Sequence, residues 1–98
     1  MSIDEVCETT LAIDHPAGLH LRPAALFVRT ANGFQSAISL RNLSRDGARA
    51  VDAKSIVGVM QAAVSQGHRV AVRASGPDAA AAVTALTALV ARNFAEEQ

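Results

Sequence analysis

The sequence predicts an α+β protein: an open-faced two-layer sandwich in which three helices cover a four-stranded antiparallel sheet. Three observations indicate this class. Short stretches alternate apolar and polar residues, as half-buried strands do. Other stretches repeat apolar residues at helical spacing, and an Asp-Gly pair marks a chain reversal. The predicted order is strand, helix, strand, strand, helix, strand, helix.

The first strand is predicted over residues 6 to 13, and residues 14 to 18 then turn the chain. One face of this strand carries Cys7, Thr9, Leu11 and Ile13. A helix is predicted from about Arg22 to Asn32, because Asn32-Gly33 is a suitable helix stop. Its helically spaced apolar residues are Ala24, Phe27, Val28 and Ala31.

Residues 34 to 41 alternate again, and Asp46-Gly47 favours a hairpin whose second strand returns over residues 48 to 52. The alternating side chains are those of Phe34, Ser36, Ile38 and Leu40. These two strands complete the central part of the predicted sheet.

The second half of the chain predicts a short helix over residues 55 to 65, a strand over residues 69 to 75, and a last helix from Pro77 to about Asn93. Gly67 ends the first of these helices. The inward stripe of the last helix consists of Val83, Leu86, Val90 and Phe94.

Composition favours one small domain over residues 1–98, because 98 residues leave no room for a separate catalytic module. Basic and acidic residues number nine each, so no global charge draws the chain to nucleic acid or an anionic membrane. No apolar run approaches the roughly 18 residues of a membrane span. Cys7 is the single cysteine and no signal peptide is evident, so a cytoplasmic protein is expected.

A candidate site lies where the first helix begins, in the stretch GLHLRP of residues 18 to 23. The first N–H groups of a helix lack intrahelical partners and, with the helix dipole, attract anions. His20 offers a nucleophilic nitrogen beside that site, and Arg22 offers a fork of donors for phosphate oxygens. Pro23 suits a first helical turn, and Gly18 suits a tight turn. These residues describe a phosphohistidine carrier, although a histidine near a helix start is more often a cap or a surface residue.

Other chemistries are poorly supported. His15, His20 and His68 lack the Cys or carboxylate partners of a familiar metal site, so neither a metal nor a cofactor is expected. No G-x-S-x-G elbow accompanies Asp14 and His20 to make a hydrolase triad. RNA-binding sandwiches stack bases on strand aromatics, of which the predicted strands offer Phe34 alone.

The stretch GLHLRPAA resembles the active-site motif of the HPr family, the histidine phosphocarriers of the bacterial phosphotransferase system. Residues 51 to 60, VDAKSIVGVM, resemble its regulatory-serine segment, and residues 67 to 78, GHRVAVRASGPD, its last strand and turn. The similarity covers nearly the whole chain in order. It implies the open-faced sandwich already predicted from periodicity.

The resemblance also implies a function: His20 would take a phosphoryl group from phosphorylated enzyme I and pass it to an A-type enzyme II component, while Arg22 steadies it. The chain would be a monomeric intermediate and not a stand-alone catalyst. The branch served could be sugar uptake, dihydroxyacetone phosphorylation or the nitrogen-related branch.

Three departures from the family pattern concern the surroundings of this site. Ala17 replaces a polar residue common in relatives, so one side-chain hydrogen bond is missing, and Leu21 replaces Ala or Thr. The hairpin loop over residues 41 to 50 is roughly four residues longer than usual, which a surface turn tolerates cheaply. None of the three removes the phosphorylatable nitrogen.

Ser55 has two interpretations. A serine at a helix start commonly caps backbone N–H groups, which alone explains it. In many HPr proteins of Gram-positive bacteria the matching serine is phosphorylated by an HPr kinase. The alternative function is therefore an HPr-like regulatory binding protein that acts through Ser55, although retention of His20 favours the carrier.

The helix after Ser55 is apolar on almost every side, and a two-layer sandwich cannot bury all of them. The resemblance places Val59 and Ala62 inward. The outward residues would form a docking surface with two residues of the first helix; the five are Leu21, Ala25, Ile56, Val57 and Met60. The alternative is a fully buried helix.

Overall fold

The computed structural model describes residues 5–95 and confirms the predicted sandwich. The domain predicted over residues 1–98 stays a prediction, because residues 1–4 and 96–98 lie outside the described part. The elements are β1 Glu5–Ala12, α1 Leu21–Asn32, β2 Ala37–Asn42, β3 Val51–Asp52, α2 Ile56–Gln61, β4 Arg69–Gly76 and α3 Ala79–Ala91.

The four strands form one antiparallel sheet in the order β1-β4-β2-β3. Along β4 the side chains alternate between a buried face and a largely exposed one. Leu11, Ile38, Leu40 and Val72 belong to the buried core, which the helices cover. The core is aliphatic around Phe27, as the composition predicts. No helix within residues 5–95 is long and apolar enough to span a membrane.

Both strands of the predicted hairpin are shorter than expected. β2 begins at Ala37, because the N–H groups of Gln35 and Ser36 donate to the carboxylate of Asp78 instead of to a neighbouring strand. β3 covers two residues instead of residues 48 to 52. The hydroxyl of Ser44 accepts from the amide of Arg69 at the start of β4, and the chain then leaves the sheet in turns.

Two helices also end earlier than the pattern predicts. α2 stops at Gln61 instead of residue 65, because Ala63 has a φ of +52°, which is not helical. The amide of Asn42, a buried polar side chain, donates to the carbonyl of Ala62 at 3.1 Å. α3 begins at Ala79 and ends at Ala91, since residues 93 and 94 also have positive φ.

The predicted stripe of α3 is partly correct. Leu86 and Phe94 are buried, whereas Val83 and Val90 are half-buried against the core. The other buried residues of this helix are Ala79, Ala82 and Leu89. Small side chains therefore bring α3 close to the sheet, which a search for large apolar residues does not detect.

Asp78 links the start of α3 to the start of β2 through hydrogen bonds. Its two carboxylate oxygens accept from the amides of Gln35 and Ser36, each at 2.9 Å. The hydroxyl of Ser36 donates to the same carboxylate and accepts from the amide of Asp78. The hydrogen bond from the Ser36 side chain, followed by that from the Gln35 amide, lowers the pKa of Asp78 below its ordinary value.

Candidate functional site

The loop before α1 is closed by Gly18, which has a φ of +58°. A Cβ atom at this position would lie 2.1 Å from the carbonyl oxygen of Val64. The next amide, that of Leu19, donates to the same oxygen at 2.9 Å, and the Leu19 side chain is fully buried. The sequence-based role of Gly18 is therefore confirmed, and this contact fixes the chain one residue before His20.

His20 is the N-cap residue of α1, with extended backbone angles, and its side chain does not cap the helix. It is half-buried. Within residues 5–95 its imidazole makes no hydrogen bond. Pro23 is buried in the first turn, where its missing N–H removes no helical bond. The imidazole thus lies beside a helix N-terminus, where anions are attracted, and is not used for capping.

Leu21 follows with a φ of +52°, a conformation that L residues other than Asn and Asp seldom adopt. Such a conformation costs about 1–2 kcal/mol. The side chain is 77% exposed, so burial does not compensate for it. Sequence reasoning missed this strain, since nothing about a leucine signals it. Arg22 comes next and is exposed, two residues after His20.

Ser55 is the N-cap residue of α2, and its hydroxyl oxygen accepts from the amide of Gly58 at 3.1 Å. The capping interpretation is therefore correct. The side chain is half-buried. The regulatory interpretation stays a prediction.

The outer side of α2 is exposed, as predicted, and the alternative of a fully buried helix is wrong. Val57 is 61% exposed, whereas Val59 is fully buried and Ala62 nearly so. α1 and α2 pack against each other. We define the apolar patch as five exposed residues of these two helices: Leu21, Ala25, Ile56, Val57 and Met60.

The other two histidines are used in local structure. The Nδ1 atom of His15 accepts from the amide of Ala17 at 3.0 Å, and its ring meets Phe94 edge to face. The Nδ1 atom of His68 accepts from the amide of Ser65 at 3.1 Å. Sequence reasoning missed the contact of His15, although an acceptor two residues before an amide is a known turn pattern.

The candidate site lies apart from a depression on the sheet. A depression of about 670 Å³ lies on the uncovered face of the sheet, but none of its lining residues belongs to α1 or the preceding loop. Its polar members include Ser39, Asp52 and Arg73. Among residues 5–95 there is no group of three His, Cys, Asp or Glu side chains that could hold a metal. A half-buried histidine beside an exposed apolar patch suits contact with other proteins.

An open-faced sandwich with a histidine at the N-terminus of its first helix is typical of a class of small phosphoryl carriers. The family model described as the PTS HPr component phosphorylation site matches residues 7–92. The phosphocarrier protein HPr of Treponema pallidum is 43% identical over 88 residues, which are 90% of this chain and 96% of that protein.

A solved structure agrees with this match. HPr-C-His from Thermoanaerobacter tengcongensis superimposes with a TM-score of 0.84 at 44% identity, covering 94% of this chain and 99% of that one. The multiphosphoryl transfer protein of Xanthomonas campestris is 41% identical over 86 residues, but the chain spans only 10% of its length.

The chain belongs to the HPr family of the phosphotransferase system. Members of this family are phosphocarriers and not stand-alone catalysts. The predicted family, fold class and carrier function are confirmed at this level.

Proposed function

We propose that this chain accepts a phosphoryl group on His20 from phosphorylated enzyme I and passes it to an A-type enzyme II component. The observation that carries the proposal is the imidazole of His20, which is half-buried at the start of α1 and makes no hydrogen bond within the described residues. Its nitrogen lone pair is therefore available to phosphorus.

The transfer needs few groups. A nitrogen of His20 forms a bond to phosphorus as the bond between phosphorus and the donor group of enzyme I breaks. Attack by a group of the enzyme II component then breaks the bond at His20. The protein contributes position and charge, as in other phosphoryl transfers. The helix N-terminus and the guanidinium of Arg22 would donate to the phosphoryl oxygens.

The direct test is incubation with enzyme I and phosphoenolpyruvate, followed by measurement of acid-labile phosphate. The wild-type protein should be labelled, and His20→Ala should not be. His15→Ala is the matched control, because it removes a histidine from the same loop and should still reach full labelling, even where the label is taken up more slowly. Undiminished labelling of His20→Ala would overturn the assignment.

The apolar patch is the proposed docking surface for both partners. Two helices contribute to it, and Leu21 adjoins His20 in the chain. Exposed apolar residues mark protein interaction sites, and a methionine such as Met60 can adapt to different partners. We place this exchange in the cytoplasm and expect a monomeric single-domain carrier.

A regulatory use of Ser55 is a second proposal, favoured by its place at the N-terminal end of α2 beside the patch. A phosphate from an HPr kinase would add a charge of about −1.5 to −2, which a helix N-terminus tolerates. Folding should survive and docking should weaken. Ser55→Asp should therefore accept phosphate from enzyme I more slowly than Ser55→Ala, and equal rates would contradict the switch.

A further inference from the structure

His15 closes the loop that leads to His20. Its Nδ1 atom accepts from the amide of Ala17 at 3.0 Å, and its carbonyl accepts from the amide of Gly18 at 2.8 Å. An accepting Nδ1 atom means that the neutral ring carries its proton on Nε2. The residue thus binds two successive amides of the turn.

The ring of His15 is also held from the other side. Phe94 meets it with ring centroids 5.9 Å apart and planes at 89°, the edge-to-face arrangement of aromatic pairs. Phe94 itself is buried beyond the end of α3. His15 therefore connects the loop before α1 to the C-terminal end of α3.

Closure of this turn determines where His20 lies. The turn delivers Gly18 and Leu19 to the carbonyl of Val64, and His20 follows directly. Ala17 has no side-chain acceptor with which to order the turn itself. The imidazole of His15 supplies one instead.

We propose that His15 is a positioning residue for His20, and that it acts only while its ring is neutral. Protonation converts Nδ1 from an acceptor into a donor, so the bond to the Ala17 amide is lost. The turn then loosens, and phosphoryl transfer through His20 slows in acid. This inference rests on the proposed function of His20, whereas the hydrogen bond can be tested without it.

Other titratable groups belong to the same region and have to be separated from His15. Asp14 precedes it in the loop, and Arg92 lies two residues before Phe94. His20 is itself an imidazole. The Nδ1 atom of His68 accepts from the amide of Ser65, which directly follows Val64, so His68 belongs to this region as well. A comparison between variants at position 15 leaves all four groups in place.

Two variants separate the hydrogen bond that the His15 ring accepts from its contact with Phe94. His15→Asn keeps a side-chain acceptor that can bind the amide two residues on, but it cannot be protonated. His15→Phe keeps an aromatic ring for Phe94 but offers no acceptor. The measurement is the rate of phosphate acceptance from enzyme I between about pH 5.5 and 8, a range in which imidazoles titrate.

At the upper pH, His15→Asn should transfer within about twofold of wild type, and His15→Phe about three- to tenfold more slowly, as expected for one hydrogen bond. Toward the lower pH, wild type should lose about the same factor relative to His15→Asn. If the ratio of the wild-type rate to the His15→Asn rate does not change with pH, the proposal is overturned. A wild-type rate in His15→Phe would overturn it as well.

An NMR measurement separates this inference from the role of His20 and requires no enzyme I. In His20→Ala, the amide proton of Ala17 should shift in step with the titration of the His15 ring. An Ala17 signal that ignores this titration would overturn the inference even if His20 carries phosphate. A clear shift together with labelled His20→Ala would refute the proposed function alone.

Discussion

The starts of α1 and α3 both carry a polar N-cap residue but use its side chain differently. Neither His20 nor Asp78 caps its own helix. The carboxylate of Asp78 holds the amides of Gln35 and Ser36, so that the helix is tied to the sheet. The imidazole of His20 holds nothing among the described residues. A side chain that makes no structural bond at a helix start is available for chemistry.

The largest expected effect comes from the glycines that precede the two helices. A Cβ atom at Gly18 would lie 2.1 Å from the carbonyl of Val64, and one at Gly76 would lie 2.7 Å from the Cα atom of Ser36. Each alanine substitution should therefore cost about 2–4 kcal/mol in the free energy of unfolding, measured by urea denaturation. Only Gly18→Ala should also slow phosphate acceptance by folded protein. Equal slowing in Gly76→Ala would break the comparison.

Arg22 should matter for transfer and little for folding. Its proposed hydrogen bonds form to a charge that appears only with the phosphoryl group, and such bonds are worth about 1.5–3 kcal/mol. Arg22→Ala should therefore transfer about 10- to 100-fold more slowly. The transfer rate of Arg22→Lys should fall between those of wild type and Arg22→Ala, because lysine keeps the charge but lacks the planar guanidinium. Wild-type rates in both variants would remove Arg22 from the site.

Val57 tests the apolar patch. Because it is 61% exposed, Val57→Glu should leave the melting temperature nearly unchanged. Binding to enzyme I should weaken by about tenfold, since a charge enters an apolar contact. Val59→Glu is the matched control on the buried side of the same helix, and it should unfold the domain. Unaltered affinity in folded Val57→Glu would exclude this residue from the interface.

Asp78 should affect stability in a pH-dependent way and leave transfer unchanged. Because the pKa of its carboxyl is lowered from 3.8, its contribution to stability is complete above that value. The contribution disappears as the pH falls through the lowered pKa. Asp78→Asn should therefore melt below wild type at neutral pH, and the difference should shrink in acid. A difference that is constant down to acid pH would contradict this account.

The smallest effect is expected at Leu21, where α1 begins with strain. Glycine adopts a φ of +52° without the steric cost of about 1–2 kcal/mol, although it loses more entropy on folding. Leu21→Gly should raise the stability by about 0.5–1 kcal/mol, measured by calorimetry. A lower melting temperature would show that the strain is absent or that the exposed side chain has another role.

Much of this architecture could be predicted from periodicity. The alternation of β1 and the spacing of Ala24 and Phe27 in α1 depend on local geometry that sequence records directly. That α2 keeps one side exposed follows from the layer architecture, because a two-layer fold has no third layer to cover it, whereas the family resemblance assigns Val59 and Ala62 to the inner side. The tight turn predicted at Gly18 is also confirmed.

The remaining features depend on contacts between distant parts of the chain. β2 begins later than predicted because the amides of Gln35 and Ser36 donate to the carboxylate of Asp78, more than 40 residues further along the chain. α2 ends early where Asn42 bonds the carbonyl of Ala62. The ring of His15 contacts Phe94, which lies near the other end of the sequence. Local periodicity contains none of this information.

The surface position of His20 sets a timing requirement on the carrier. A phosphoryl group bound there would face water, because the residue is half-exposed and does not line the depression of the uncovered sheet face. The yield of the relay would then depend on how soon an acceptor arrives, so that acceptor concentration and encounter rate would govern how much phosphate is lost.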